Sequence, residues 1–181
     1  MGAAVAALCA VLVATLLLLP RQTSAGSGGD TSQLAQAQAL LTLLSSAADT
    51  REVAVAAVVD IEQCQSLPQS VADLDQMGRL RAGMVTQLSR LRTDRLPQQQ
   101  ALVSALDQGW QASQRADDDY ARWAQASVAA CADGHHPSAT AWKLQGDEAS
   151  ADATAAKQRA AVLWNAVATA DGLSSITADQ L

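Results

Sequence analysis

Residues 93–97, Thr-Asp-Arg-Leu-Pro, separate two long segments: PQSVADLDQMGRLRAGMVTQLSRLRT at 68–93 and PQQQALVSALDQGWQASQRADDDYARWAQASVAAC at 97–131. In the first, Val71, Leu74, Met77, Leu80, Met84, Leu88 and Leu91 recur at steps of three and four, the spacing of one helical face. In the second, Leu102, Leu106, Gly109, Ser113, Ala116, Tyr120, Trp123, Ser127 and Ala130 keep alternating steps of four and three, a bundle seam made mostly of small residues. Pro68 and Pro97 each suit a first helical turn, where the missing N–H costs nothing. If the segments fold back antiparallel about Arg95 and Leu96, residue n faces roughly residue 191 − n. Cys131 then falls near residue 60, about one helical turn from Cys64, within reach of a disulfide. By the same estimate Trp110 faces Arg81, for packing on the arginine stem or a cation–π contact.

Cysteine usage supports the bridge independently. Ala3 to Leu19 is an uninterrupted apolar run ended by Pro20 and followed by Thr23-Ser24-Ala25, the small-x-small pattern of a cleaved leader. No Lys or Arg precedes the run, and its length sits at the short limit for a membrane span. Residues 1–25 are therefore read as a signal peptide or an uncleaved N-terminal anchor, and 26–32 as a flexible linker rich in glycine. Cys9 lies inside the apolar run and reads as one more apolar residue. Beyond it remain Cys64 and Cys131, an even count in an oxidising compartment and no CxxC pair.

The rest of the chain, 33–181, reads as one helical bundle domain. The composition is 49% hydrophobic, 17% charged and only 3% aromatic, with no Phe. Alanine-rich, Gln- and Arg-containing stretches favour helix. The formal net charge of −6 disfavours nucleic acid and anionic membrane surfaces as main partners, and solubility is its ordinary explanation. Any membrane association runs through residues 3–19 if they are uncleaved, and the expected partner is a protein or another envelope component.

Asp30 or Thr31 is expected to cap a first helix through Leu34, Ala37, Leu40 and Leu44. Near Ser45-Ser46 the apolar register falters, and Asp49 or Thr50 caps a continuation carrying Ala54, Val58 and Ile61 toward Cys64. One bent helix and two separate ones both satisfy this pattern. The last helix starts at Ser138 or after Gly146, with a seam of Ala149, Ala153, Ala156, Ala160, Leu163, Val167 and Ala170. Gly172 stops it, and residues 173–181 either lie back on the bundle or fray. The fold class expected is thus all-α: an antiparallel four-helix up-down bundle with an N-terminal helical extension and one disulfide.

Chemistry-bearing residues are few. His135-His136, with Asp133, reads as a solvated turn, because a metal site needs three or four convergent ligands. Asp117-Asp118-Asp119 cannot clamp one ion, since neighbouring helical residues point about 100° apart; Asp118 with Arg122 forms an ordinary i,i+4 pair. No nucleophile elbow or glycine-rich phosphate loop occurs, and no cofactor or metal is implied. Tyr120, Trp123, Lys157 and Trp164 are the residues placed to line a pocket between helices, with core packing as the alternative for the aromatics. Lys157 and Asn165 beside the last seam suit either a ligand or solvation.

Ser113, Ala116-Asp117, Tyr120, Trp123-Ala124 and Cys131, followed by Lys157, Trp164-Asn165 and Gly172-Leu173, resemble a group of uncharacterised exported helical proteins of high-GC Gram-positive bacteria. The resemblance spans residues 51–181. It implies export and a helical fold, and no activity. This chain departs from the group's pattern at Ala160-Ala161, where a larger apolar residue or Phe is common.

Together these readings lead to the expectation of a non-catalytic interaction or structural module outside the cytoplasm, secreted or anchored by its first segment. A membrane-tethered ligand-sensing ectodomain is the alternative. An enzyme with an unrecognised site is the third reading: a closed, alanine-lined core counts against it, and a solvent-open pocket gathering Lys157, Tyr120 and a carboxylate favours it.

Overall fold

The computed structural model describes residues 32–47, 50–138 and 140–181; the leader or anchor at 1–25 and most of the linker lie outside them. The described residues form five α-helices, α1 Gln33–Ser45, α2 Thr50–Glu62, α3 Leu67–Arg90, α4 Gln99–Ala132 and α5 Ala141–Asp171, followed by a 3-10 turn at Ala178–Gln180. No strand occurs among them, and none of their helices is long and apolar enough to cross a membrane.

The three long helices make an antiparallel sheaf with α4 in the middle, packed on α3 and on α5. α1 lies over α3 and α5, and α2 over α3 and α4. The N-terminal segment is therefore two helices rather than one bent one. They part at Ser46 and Ala47, where the backbone turns and Thr50 Oγ1 donates to the Ala47 carbonyl at 2.8 Å. Ser32, rather than Asp30 or Thr31, caps α1, its Oγ accepting from the Ala35 amide at 3.1 Å; both expected caps lie outside the described residues. Gln36 is buried because it fastens the α3–α4 turn, donating to Asp94 and accepting from the Arg95 amide, both at 2.9 Å.

Cys64 and Cys131 are bonded, with Cα atoms 5.4 Å apart. The fold-back register is correct in direction and short in length. Arg81 meets Asp117, and a Cβ on Gly78 would lie 3.3 Å from Asp118, so partners sit one to two turns further along than a symmetric fold predicts. Part of the offset, about one residue on each helix, follows from Cα–Cβ bonds tilting toward the N-terminus of their own helix; the remainder is a shift of the helices themselves. In an antiparallel pair both side chains lean back, and contact occurs between residues that lie further along each chain. Trp110 consequently does not pack on Arg81. It is buried in an apolar cluster with Leu40, Leu106 and Trp164, its indole N–H without a hydrogen-bond partner.

α5 starts at Ala141, between the two expected positions, and runs through Gly146. The glycine is required there by packing: a Cβ would stand 2.7 Å from the Tyr120 ring. Gly172 ends the helix at φ 67°, the left-handed conformation that glycine adopts without steric cost. Residues 173–181 lie back on the bundle. Trp164 Nε1 donates to the Ser174 carbonyl at 3.1 Å, and the Asn165 amide both donates to and accepts from the Ile176 backbone at 2.9 Å.

The core has two parts. One gathers α1 with the α3–α4 turn end, including Leu40, Leu44, Met84, Leu88, Leu102, Trp110, Ala160, Ala161 and Trp164. The other gathers α2 with the disulfide end, including Ala57, Ile61, Leu74, Ala121, Trp123 and Ala124. Along each long helix a polar stretch falls between them: Arg81 on α3, Ser113 and Asp117 on α4, Lys157 on α5, all buried.

Candidate functional site

That polar layer opens into a cavity of about 200 Å³. Its walls come from α2 (Arg51, Ala54, Val55, Val58, Val59), from Arg81 on α3, from Ser113, Asp117 and Tyr120 on α4, and from Ser150, Ala153 and Lys157 on α5. Ala178 and Asp179 of the closing segment complete the rim. α2 lies over the layer, its residues forming one wall of the cavity.

Arg81 decides the chemistry of the site. Steps of three and four from Met77 to Met84 pass equally well through Leu80 or Arg81, and hydropathy selects Leu80. The structure does the opposite: Leu80 is 44% exposed and Arg81 only 3%. The reason is across the helix pair, where Arg81 Nη1 contacts Asp117 Oδ2 with both side chains out of solvent. Asp117 is therefore an interior residue. Burial lowers the Arg81 guanidinium to about 10, and its Nε has no acceptor among the described residues. A buried ion pair recovers its desolvation cost only when its remaining protons are also satisfied, and this one is left with a donor unused.

Lys157 is the second unusual group. Its stem crosses α4 at Gly109, where a Cβ would come within 3.0 Å of Lys157 Cγ, so the glycine provides the space the stem occupies. The residue is only 8% exposed, and among the described residues its ammonium makes no hydrogen bond and no ion pair. Burial lowers its pKa to about 7; the neighbouring Arg81 and Arg51 charges push the same way, and Asp179 opposes them. Asp117 does not relieve it, being occupied by Arg81.

Of the residues expected to line a pocket, Tyr120 and Lys157 do, and Trp123 and Trp164 do not. The Tyr120 ring forms part of the wall, but its hydroxyl donates to Asp147 at 2.9 Å on the outer side. Burial and that carboxylate raise the phenol above its usual range. Trp123 is enclosed in the α2-side core and donates to the Ser138 carbonyl at 3.1 Å; Trp164 sits in the other core and anchors the closing segment. Both indoles have apolar seams to fill and backbone carbonyls to satisfy, which removes them from the cavity. Asn165 likewise serves the backbone at Ile176.

His135 and His136 lie exposed in the α4–α5 connection, and no three His, Cys, Asp or Glu side chains converge among the described residues. Arg122 pairs with Asp119 at 3.1 Å rather than with Asp118, and stacks 4.9 Å from the Trp142 ring. At the cavity mouth Arg51 Nη1 contacts Asp179 Oδ1 at 2.8 Å, linking the start of α2 to the closing segment.

Sequence reasoning missed Arg81, Asp117 and Arg51. A signal for the first two was present: an arginine inside an apolar stripe and an aspartate adjoining a seam of small residues, on helices already known to be neighbours.

Comparison with known proteins finds no matching family, no similar curated protein and no similar solved structure.

Proposed function

We propose that this chain is a binding module acting outside the cytoplasm, and that its cavity takes a small anionic molecule with an apolar body. The pocket does gather Lys157, Tyr120 and two carboxylates, the lining an enzyme would need, but the Tyr120 hydroxyl is turned to Asp147 and both carboxylates are held by arginines, which favours binding over catalysis. The observation that carries this reading is that two cationic side chains, Arg81 and Lys157, line one cavity, the buried Arg81 Nε having no acceptor among the described residues. Unmet buried donors are costly, and a carboxylate supplies acceptors to both. Val55, Val58 and Val59 with Ala54 and Ala153 provide an apolar surface opposite. A few fixed polar groups in an apolar concavity are the usual composition of a small-molecule site. An engineered cavity of roughly 150 Å³ holds benzene, so this one suits a ligand of that size or slightly larger.

The location rests on the leader-like first segment and on a disulfide, which is compatible with an oxidising compartment. Retention of that segment would make the same module a membrane-tethered sensor; mass spectrometry of the native protein, finding Met1–Ala25 present or absent, separates the two.

The test is titration calorimetry with hexanoate and benzoate against hexanol and benzyl alcohol, on the wild type and on Lys157→Met. The carboxylates are expected to bind at least tenfold more tightly than the alcohols, and the preference to collapse in the variant. Equal affinity for acids and alcohols, or no binding of either, refutes the reading.

A further inference from the structure

Reversible capture of a carboxylate uses Arg81 and Lys157 as donors, but it does not by itself account for how Lys157 is held. A lysine that only attracts anions works best charged and at the rim, as Arg51 is. Lys157 is instead drawn inward: its stem is seated over Gly109, the residue is only 8% exposed on the cavity wall, and the carboxylates that line the same cavity are engaged elsewhere, Asp117 with Arg81 and Asp179 with Arg51. The sequence contains one other lysine, Lys143, and its surroundings are the reverse. Lys143 Nζ donates to both oxygens of Asp147, at 2.9 and 3.2 Å, on the outer face of α5. The chain therefore carries one lysine paired with a carboxylate on the outer face and one inside the cavity with no such pair.

We propose that Lys157 condenses with the carbonyl group of a small 2-oxo acid, whose carboxylate is held by Arg81. The proposal rests on the carboxylate-binding reading above and adds a covalent bond to it. The lone pair on Nζ attacks the carbonyl carbon, and the π electrons of the C=O bond move to oxygen. One proton passes from nitrogen to that oxygen to give the carbinolamine. The nitrogen lone pair then re-forms a double bond to carbon as the C–O bond breaks; a solvent proton, supplied through the open mouth, leaves with the oxygen as water, and the protonated imine remains. Loss of that proton returns it to solvent, so amine plus ketone gives imine plus water, with nothing oxidised or reduced. A neutral amine is the reactive form, and burial beside two cations favours it at neutral pH, as in lysines that form Schiff bases in other proteins. The apolar walls limit hydrolysis by keeping bulk water off the imine carbon.

The experiment is reductive trapping at pH 7. The full chain is incubated with pyruvate and cyanoborohydride, digested, and the adduct located by peptide mass spectrometry, with Lys143 as the internal standard. Labelling of Lys157 is expected to exceed that of Lys143 by more than tenfold, and acetone, which lacks the carboxylate, to label Lys157 at least tenfold less than pyruvate does. Thermal unfolding with pyruvate, without reductant, is measured in parallel on the wild type and on Lys157→Met. Equal labelling of the two lysines, with a pyruvate-dependent rise in the unfolding midpoint retained, overturns the covalent step and leaves carboxylate binding standing. Equal labelling by acetone and pyruvate overturns the 2-oxo acid class. Neither labelling nor a midpoint shift overturns both readings. Loss of helical circular dichroism in Lys157→Met would contradict the premise that this amine is held at the expense of stability.

Discussion

Replacing Lys157 by Met should make the protein more stable, and by an amount that depends on pH. Methionine keeps an unbranched stem over Gly109 and removes the amine. In the unfolded chain lysine binds its proton until about pH 10.5, whereas in the folded protein it lets go near 7. Between these values the unfolded state binds one proton more than the folded state, so wild-type stability rises with pH through that window at about 1.4 kcal/mol per pH unit. At pH 7 and below, the full cost is present, about 5 kcal/mol; near pH 9 about 2 kcal/mol remains, and above the unfolded value none does. The groups facing the amine are Arg51 on α2, Arg81 on α3, Tyr120 and Asp117 on α4 and Asp179 on the closing segment. All are present in both proteins, so their own titrations largely cancel in the difference. The assay is urea unfolding with the disulfide intact, from about pH 6 to 10, comparing the two midpoints. The expected result is a gap favouring Lys157→Met that is level near neutrality and closes steadily as pH rises. Parallel curves, or a wild type more stable than the variant at pH 7, would refute the account of Lys157 as an unpaired buried amine.

Removing the crosslink as Cys64→Ser with Cys131→Ser frees a loop of 67 residues and should lower stability by roughly 4 kcal/mol, read as a fall in the thermal midpoint equal to that of the reduced wild type. Gly146→Ala forces the Tyr120 ring from a position 2.7 Å from the new Cβ; it should cost about 1–3 kcal/mol and weaken the Tyr120–Asp147 hydrogen bond, detected as a downward shift of the tyrosine titration toward its ordinary range. Asn165→Ala removes both hydrogen bonds to the Ile176 backbone. It should cost about 1–3 kcal/mol, and limited proteolysis should then cut within residues 173–181 before the helices are touched. Unchanged protection of the Ile176 amide in hydrogen exchange would contradict this.

How much of this was readable beforehand differs from element to element. α3 and α4 were legible because each repeats an apolar residue every three or four positions over many turns, and a long stripe tolerates no competing secondary structure. The pairing of Cys64 with Cys131 was legible because an antiparallel hairpin brings both to one end and they are the two cysteines beyond the apolar leader, even though the register lies one to two turns from the symmetric estimate. The choice between Leu80 and Arg81 was not, since both lie on the same helical flank and only a facing carboxylate makes burial of the arginine tolerable. Trp123 and Tyr120 are three positions apart on one seam, yet one fills the core and the other walls a cavity. That difference depends on Gly146 across the interface and on the carbonyls each side chain can reach.

Sequence alone determined an all-helical hairpin architecture with one crosslink, because helical periodicity and the geometry of a short turn are local properties carried by each segment. Tertiary structure alone decided that Arg81, Asp117 and Lys157 form one buried polar layer, and that a cavity walled by α2 lies against it. Burial of a charge is a cost shared among several helices at once, so no single stretch of chain records whether it will be met.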